Sequence, residues 1–193
     1  MRILSLDIST KTGWAFFDNC VLSKYGRIDI VDKKFNKIDY KVFSQQTLVG
    51  MFFALGNFYR SISKLFKEIN PDVIVVEQTN LGRQRISQKM LEWLHLIACL
   101  VSLTLFHKFP VFLDSSDWRK IVGLRLTKAD KDHNKAIKKQ GKRGKIGKKQ
   151  LAIRIVNEKY KDRLQQLLKM KDNDIADAIL VADAWIAKNN ING

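Results

Sequence analysis

Along the chain the spacing of apolar positions changes several times, and each change marks an element. "RILSLDI" near the N-terminus is apolar and strand-compatible, "STKTG" breaks it, and "WAFFD" and "VLSKYGRIDIV" follow as two more strands. Three short strands joined by tight turns predict an antiparallel meander. From about Ser44 to Ile69 the pattern turns helical: Leu48, Phe52, Leu55, Tyr59, Ile62 and Phe66 recur at spacings of three and four. Pro71 blocks continuation of that helix, and "VIVV" reads as a buried strand. A second helix is predicted from about Arg85 to Phe106, apolar almost all round, which implies deep burial or a second interface. "PVFLD" is a further strand, and "SSDWRKIVG" opens with a Ser or Asp cap. Helix resumes at about Lys148 in "KKQLAIRIVNEKY", and a last helix covers "KDNDIADAILVADAW". No internal repeat emerges.

The order β-β-β-α-β-α-β-α-α implies an α/β fold, a mixed sheet with helices on its faces. Strand-helix-strand alternation after residue 44 favours parallel pairing there. The 193 residues fit one domain, and 46% hydrophobic content excludes a disordered chain.

Charge adds more than composition does. A formal net charge of +16 favours a polyanionic partner, nucleic acid being the usual one. The alternative is a basic surface that binds nothing. Thirteen Lys or Arg against two Asp lie between Arg119 and Lys149, so +11 of the total sits in one stretch. Glycines 141, 144 and 147 fall inside it, and its middle, about residues 125–147, is expected to be a mobile insertion.

Cys20 and Cys99 have no metal-ligand cluster around them and read as buried thiols in a reducing compartment. An acid interrupts the N-terminal apolar run too early for a signal peptide. Apolar runs such as "LIACLVSLTLF" fall short of the roughly 20 residues a spanning helix needs. A cytoplasmic protein with no membrane partner is therefore expected.

Four acids stand out. Asp7 ends the first strand and Glu77 ends "DVIVVE". If those strands are parallel neighbours, the two carboxylates meet at one edge of the sheet. Asp174 and Asp177 lie one helical turn apart and project in one direction. Four carboxylates brought together repel, which raises their pKa values unless cations neutralise them. Hard divalent cations with oxygen ligands are the natural remedy, and magnesium suits a phosphate substrate. Two such ions roughly 4 Å apart can activate a water and stabilise the leaving oxygen of a phosphodiester. Each acid also has a plainer reading: Asp7 as a turn residue, Glu77 as the partner of a lysine, Asp174 as a charge favourable to the helix dipole. Asp177 is harder to dismiss. Asp172 and Asp183 are assigned to solvated surface.

"LDISTKTGWAFF", "VIVVEQ" and "DNDIADAILVADAW" resemble, in order and over nearly the whole chain, the three acidic motifs of the RuvC-type Holliday junction resolvases. Those enzymes belong to the RNase H-like nuclease superfamily. The resemblance implies an RNase H-like five-stranded mixed sheet flanked by helices. It also carries the metal-binding acids over to Asp7, Glu77, Asp174 and Asp177, with two Mg2+ per site and Mn2+ as a substitute. Lys148 best matches the basic residue ahead of the last two helices, with Lys149 beside it, and Arg119 and Lys120 correspond loosely to a second. The implied activity is magnesium-dependent paired nicking of four-way DNA junctions by a homodimer, leaving a 5′-phosphate and a 3′-hydroxyl. A two-fold dimer suits a near two-fold junction, with the apolar helix of residues 85–106 as a candidate interface.

Two departures separate the chain from the cellular enzymes. The aromatic that closely follows the motif Glu there is missing from "QTNLGRQR", which has only Asn80 or Leu81 at that place. The basic insertion is longer than the usual turn, in the manner of a phage or viral member, whose setting would be the cytoplasm of a bacterial host. Phosphate contacts are expected from Arg83, Arg85, Arg119, Lys120, Lys138, Lys139, Lys142, Arg143, Lys145 and Lys149. Competing readings are a general branched-DNA or flap nuclease of the same fold and a non-catalytic DNA-binding module. RNase H proper draws an acid from its first long helix, where this chain has only Glu68 at the far end. Sugar-kinase and actin-like ATPases need two such domains.

Overall fold

The structure, a computed structural model, describes residues 1–30, 45–78, 86–140 and 144–191. Its strands are β1 (Arg2–Asp7), β2 (Lys11–Asp18), β3 (Val21–Asp29), β4 (Val73–Glu77) and β5 (Val111–Leu113). Its helices are α1 (Gln45–Ile69), α2 (Ile86–Phe106), α3 (Ser115–Ile121), α4 (Lys128–Lys139), α5 (Lys148–Lys159) and α6 (Asn173–Lys188), the last preceded by a single 3-10 turn, Met170–Asp172. The strands form one sheet in the order β3-β2-β1-β4-β5. The meander β1-β2-β3 is antiparallel, while β1-β4 and β4-β5 are parallel.

Strand alternation sorts side chains between the two faces of this sheet. Ile3 of β1, Val75 of β4 and Phe17 of β2 pack with α3, α5 and α6, among them Trp118, Val156 and Ile179. Leu4 and Leu6 of β1, with Ile74 and Val76 of β4, face the opposite way and meet Phe58, Ile62 and Phe66 of α1 and Leu94 of α2. Burying both faces explains why β1 and β4 read as nearly continuous apolar runs. Ser5 is the polar exception in β1. Its hydroxyl donates to the Ala178 carbonyl at 2.7 Å, tying the sheet to α6.

Helix α1 ends where Asn70 turns to positive φ ahead of Pro71, which cannot continue a helix. Helix α2 shows its core to α1 through Met90, Leu94, Ala98 and Val101, yet leaves Trp93, Leu96 and Leu100 exposed. Its Gln88–Phe106 segment is long and apolar enough, by length and composition, to cross a membrane. The expectation that no apolar segment reaches spanning length is corrected there, because the helix joins several shorter runs.

After β5 the described residues form α3, α4, α5 and α6, where the order read from the sequence has two helices. Residues 128–139 of the basic insertion, expected to be loop, form α4. A capping box starts it: the Thr127 hydroxyl accepts from the Asp130 N–H, and the Asp130 carboxylate accepts from the Thr127 N–H. Arg154 of α5 then grips Asp130 with both guanidinium nitrogens, at 2.8 and 2.7 Å. Asn134, one turn on, exchanges two hydrogen bonds with the Ile146 backbone. The docking face of α4 runs through Asp130, Asn134 and Ile137, so polar residues anchor it and apolar periodicity never appears.

Asp183 is not surface charge. It is buried in α6, accepts from the Tyr160 hydroxyl and pairs with Lys159 at 2.9 Å. Burial pushes both the Asp183 carboxyl and the Tyr160 phenol up from their usual pKa. Asp172 is half-buried and accepts from the Lys169 N–H within the turn before α6. Cys20 and Cys99 are free and half-buried rather than fully enclosed.

Candidate active site

The register of the parallel pair brings the first two acids together. Leu6 of β1 lies beside Val76 of β4, so Asp7 and Glu77, each one residue further, end the two strands side by side. Alternation decides where they point. Asp7 shares the face of Ile3 and Ser5, and Glu77 that of Val73 and Val75, the face covered by α6. Helix α6 brings Asp174 in its first turn and Asp177 in the next, and all four acids line one cleft of about 380 Å³.

Why α6 can come so close is written at Gly13. This residue pairs with Asp7 across β1-β2, and a Cβ on it would stand 1.9 Å from the Asp174 carbonyl oxygen. A glycine inside a strand often marks such a close backbone approach. Asn173, buried at the start of α6, donates to the Asp174 carboxylate at 2.6 Å.

Electrostatically the acids behave as a crowded set. Burial pushes the Asp7 carboxyl well above its usual value, and Asp177, Glu77 and Asp174 add to the push while Arg119 opposes it. Asp177 is pushed up to about 7, first by burial and then by Glu77. Burial raises Glu77 as well, and the Arg119 guanidinium limits the rise. Arg119 of α3 donates to Glu77 Oε1 at 3.0 Å and to the Ser115 carbonyl at 3.2 Å, its guanidinium 4.6 Å over the Trp118 ring. Glu77 thus pairs with an arginine rather than with the lysine of the plainer reading.

An all-oxygen set of carboxylates that repel one another is donor chemistry suited to a hard divalent cation. Among the described residues no three His, Cys, Asp or Glu side chains converge tightly enough to ligate one ion. The four acids line the cleft from β1, β4 and α6, with Arg119 of α3 also lining it and paired with Glu77.

Of the basic residues, Lys149 of α5 lines the cleft with the acids, whereas its neighbour Lys148, the better sequence match, is exposed and does not. Lys120, Lys138, Lys139 and Lys145 are exposed outside the cleft. Arg83, Arg85, Lys142 and Arg143, like Asn80 and Leu81, lie outside the described residues. Sequence reading missed Gly13, Asn173, Trp118 and His95. His95 is buried beside the cleft, its ring nitrogens against the carbonyl oxygens of Leu91 at 2.8 Å and Glu77 at 3.1 Å. The sequence pattern puts Gly13 in the "STKTG" break, whereas it lies inside β2, Lys11–Asp18.

No protein-family model matches the chain. No curated protein matches it either. Solved structures do. Thermus thermophilus RuvC in complex with a Holliday junction substrate superposes with a TM-score of 0.61 at 11% identity, covering 100% of this chain and 96% of that one. A second Thermus thermophilus RuvC structure gives 0.59 at 12% identity, over 98% and 97%. The yeast mitochondrial Holliday junction resolvase gives 0.57 at 12% identity, over 98% and 79%. At these identities the likeness concerns the fold: this chain has the RNase H-like α/β fold of the RuvC-type resolvases.

Proposed function

We propose that this chain is a magnesium-dependent endonuclease that resolves four-way DNA junctions by paired nicking. The observation that carries the reading is the meeting of Asp7, Glu77, Asp174 and Asp177 at one cleft, with Arg119 and Lys149 beside them. The fold shared with proteins solved as Holliday junction resolvases supports it.

The four carboxylates, drawn closer than they stand without a cation, would hold two Mg2+, or Mn2+ in its place. When bound, such a pair supplies positive charge that activates a water and stabilises the leaving oxygen of the phosphodiester. The chain's own residues do the rest. Asp7 and Asp177, whose pKa values burial and the neighbouring acids raise, would be held in the ionised, ligating form by such a pair. Lys149 and Arg119 attract the scissile phosphate, and Lys148 stands at the start of the same helix as Lys149. Lys120, Lys138, Lys139 and Lys145, with Arg83, Arg85, Lys142 and Arg143, bind the DNA backbone, which positions the junction without reading its sequence. A homodimer formed through the exposed Trp93, Leu96 and Leu100 of α2 would offer one site to each of two opposed strands.

The test is one assay. Purified protein is given a synthetic four-way junction, a flap and a linear duplex, with magnesium or with chelator. The junction should be nicked on opposed strands, only with magnesium, and not by Asp7→Asn. Nicking of none of the substrates, or equal nicking by Asp7→Asn, would falsify the nuclease reading. Equal cutting of flap and junction would reduce it to a general branched-DNA nuclease.

A further inference from the structure

Helix α4 has two unlike faces. Asp130, Asn134 and Ile137 dock it: Arg154 of α5 holds Asp130 at 2.8 and 2.7 Å, and Asn134 exchanges bonds of 2.9 and 2.7 Å with the Ile146 backbone. At roughly 100° per residue, the opposite side collects every lysine of the helix within an arc of about 100°. These are Lys128, Lys131, Lys135, Lys138 and Lys139, and all are exposed. Among the described residues only Lys135 has an ion pair, with Asp132 at 3.8 Å. Like charges three and four residues apart weaken a helix, a cost that a polyanion laid along the row would offset.

The docking contacts also fix a direction. Asp130 lies beside Arg154 and Asn134 beside Ile146, so α4 runs in the opposite sense to α5. Its C-terminal end, with Lys138 and Lys139, therefore extends past the start of α5, where Lys149 lines the cleft with the four acids. The row runs toward the cleft over about 16 Å. Phosphates of one strand advance roughly 3.4 Å apiece along a duplex axis, so the row matches about five of them.

We propose that the lysine face of α4 is a rail for one duplex arm of the DNA, gripping backbone phosphates outside the nicked position. The Asp130–Arg154 pair sets the direction of the rail. This names a subsite of the DNA-binding reading given above and rests on it, and it adds Lys128, Lys131 and Lys135 to the interface. Contacts to phosphates carry no sequence information, so the rail orients an arm rather than reading it. A loose basic segment would add affinity alone. A helix docked at Asp130 and Asn134 holds its charges in one line and aims the bound strand at the cleft.

The experiment reads binding of a synthetic four-way junction by the full chain in chelator, by fluorescence anisotropy across a range of salt. Lys128→Gln, Lys131→Gln and Lys135→Gln together should make the log-log salt slope shallower by up to about 2.7, at 0.9 for each phosphate. A control triple, Lys24→Gln with Lys161→Gln and Lys188→Gln, removes the same charge from exposed positions elsewhere and should leave the slope near the wild type. Neutral methylphosphonates are then placed in successive blocks along one arm. One block should weaken wild-type binding more than the others, and the α4 triple should be indifferent to it. Arg154→Gln keeps all five lysines but frees the helix, and it should blur that preference across several blocks. An unchanged slope in the α4 triple overturns the rail while the nuclease reading stands. So does an equal loss in the control triple, or equal sensitivity of the wild type to every block. No binding of the junction by the wild type overturns both. The substituted lysines are exposed, so the variants test the surface without disturbing the core.

Discussion

Gly13 and Asp174 approach so closely that the missing Cβ of the one would stand 1.9 Å from the carbonyl oxygen of the other, and 2.2 Å from its carbonyl carbon. Both atoms belong to backbone, so no rotamer change relieves the clash. Gly13→Ala should push the start of α6 off the sheet and cost about 3 kcal/mol, the scale of overpacking in a core. Thermal unfolding measures the loss, and the displaced Asp174 and Asp177 should weaken Mg2+ binding in whatever folds. A melting temperature equal to the wild type would show that α6 does not depend on this contact.

Burial and crowding make the acids costly to the metal-free fold. Asp7→Asn and Asp177→Asn remove charges that burial and neighbours oppose, so each should raise the melting temperature of the metal-free protein. Each should also lower junction nicking by about 100-fold or more. The wild type should gain stability on adding Mg2+ and the variants much less. A variant that loses both stability and activity would point to a structural role for that acid.

The pH dependence has a definite sign. Asp177 moves from 3.8 unfolded to about 7 folded, so between those values the folded state holds the extra proton. Stability of the metal-free protein should therefore be greatest near pH 4, fall as pH rises toward 7, and level off above it. The change is on the order of a few kcal/mol. Denaturant unfolding at pH 5 and pH 8 tests this, and Asp177→Asn should flatten the slope. Mg2+ affinity should run the other way, rising through pH 7 as the proton leaves. Equal stability at both pH values in the wild type would contradict the burial of Asp177.

DNA affinity should be steeply salt-dependent. Neutralising Lys138, Lys139, Lys142 and Arg143 together should weaken binding to every DNA shape. The log-log salt slope should become shallower by up to about 0.9 for each phosphate that is no longer neutralised. Asp130→Asn loosens α4 from Arg154 and should produce a milder version of the same change, with faster amide exchange in residues 128–139. A salt slope unchanged by the fourfold variant would remove this stretch from the DNA-binding surface.

The exposed side of α2 is the proposed dimer face. Leu96→Glu with Leu100→Glu places charges on two exposed, adjacent positions outside the core. Sedimentation should show a dimer for the wild type and a monomer for the variant, which should nick only one strand of a junction. An unchanged sedimentation coefficient in the variant would exclude this face.

The strand ends at Asp7 and Glu77 and the turn-spaced pair in α6 were legible because each depends only on local period. An apolar run ending in an acid reads as a strand edge, and three residues of helix read as one face. The parity that turns Asp7 and Glu77 toward α6 follows from the same alternation once β1 and β4 are paired. Helix α4 was illegible because its anchors are Asp130 and Asn134, which apolar periodicity does not count, although Thr127 and Asp130 spelled its capping box.

By itself the sequence determined the elements with strong apolar period, the basic stretch and the four acids, since these follow from spacing and charge along the chain. The tertiary structure alone decided what crosses between distant segments. It put Arg154 on Asp130 and buried Asp183 under Tyr160. At the cleft it chose Lys149 over Lys148 and set Arg119 against Glu77. The Arg119–Glu77 pair joins residues 42 positions apart at 3.0 Å, and no local pattern encodes such pairs, because they depend on how whole elements pack.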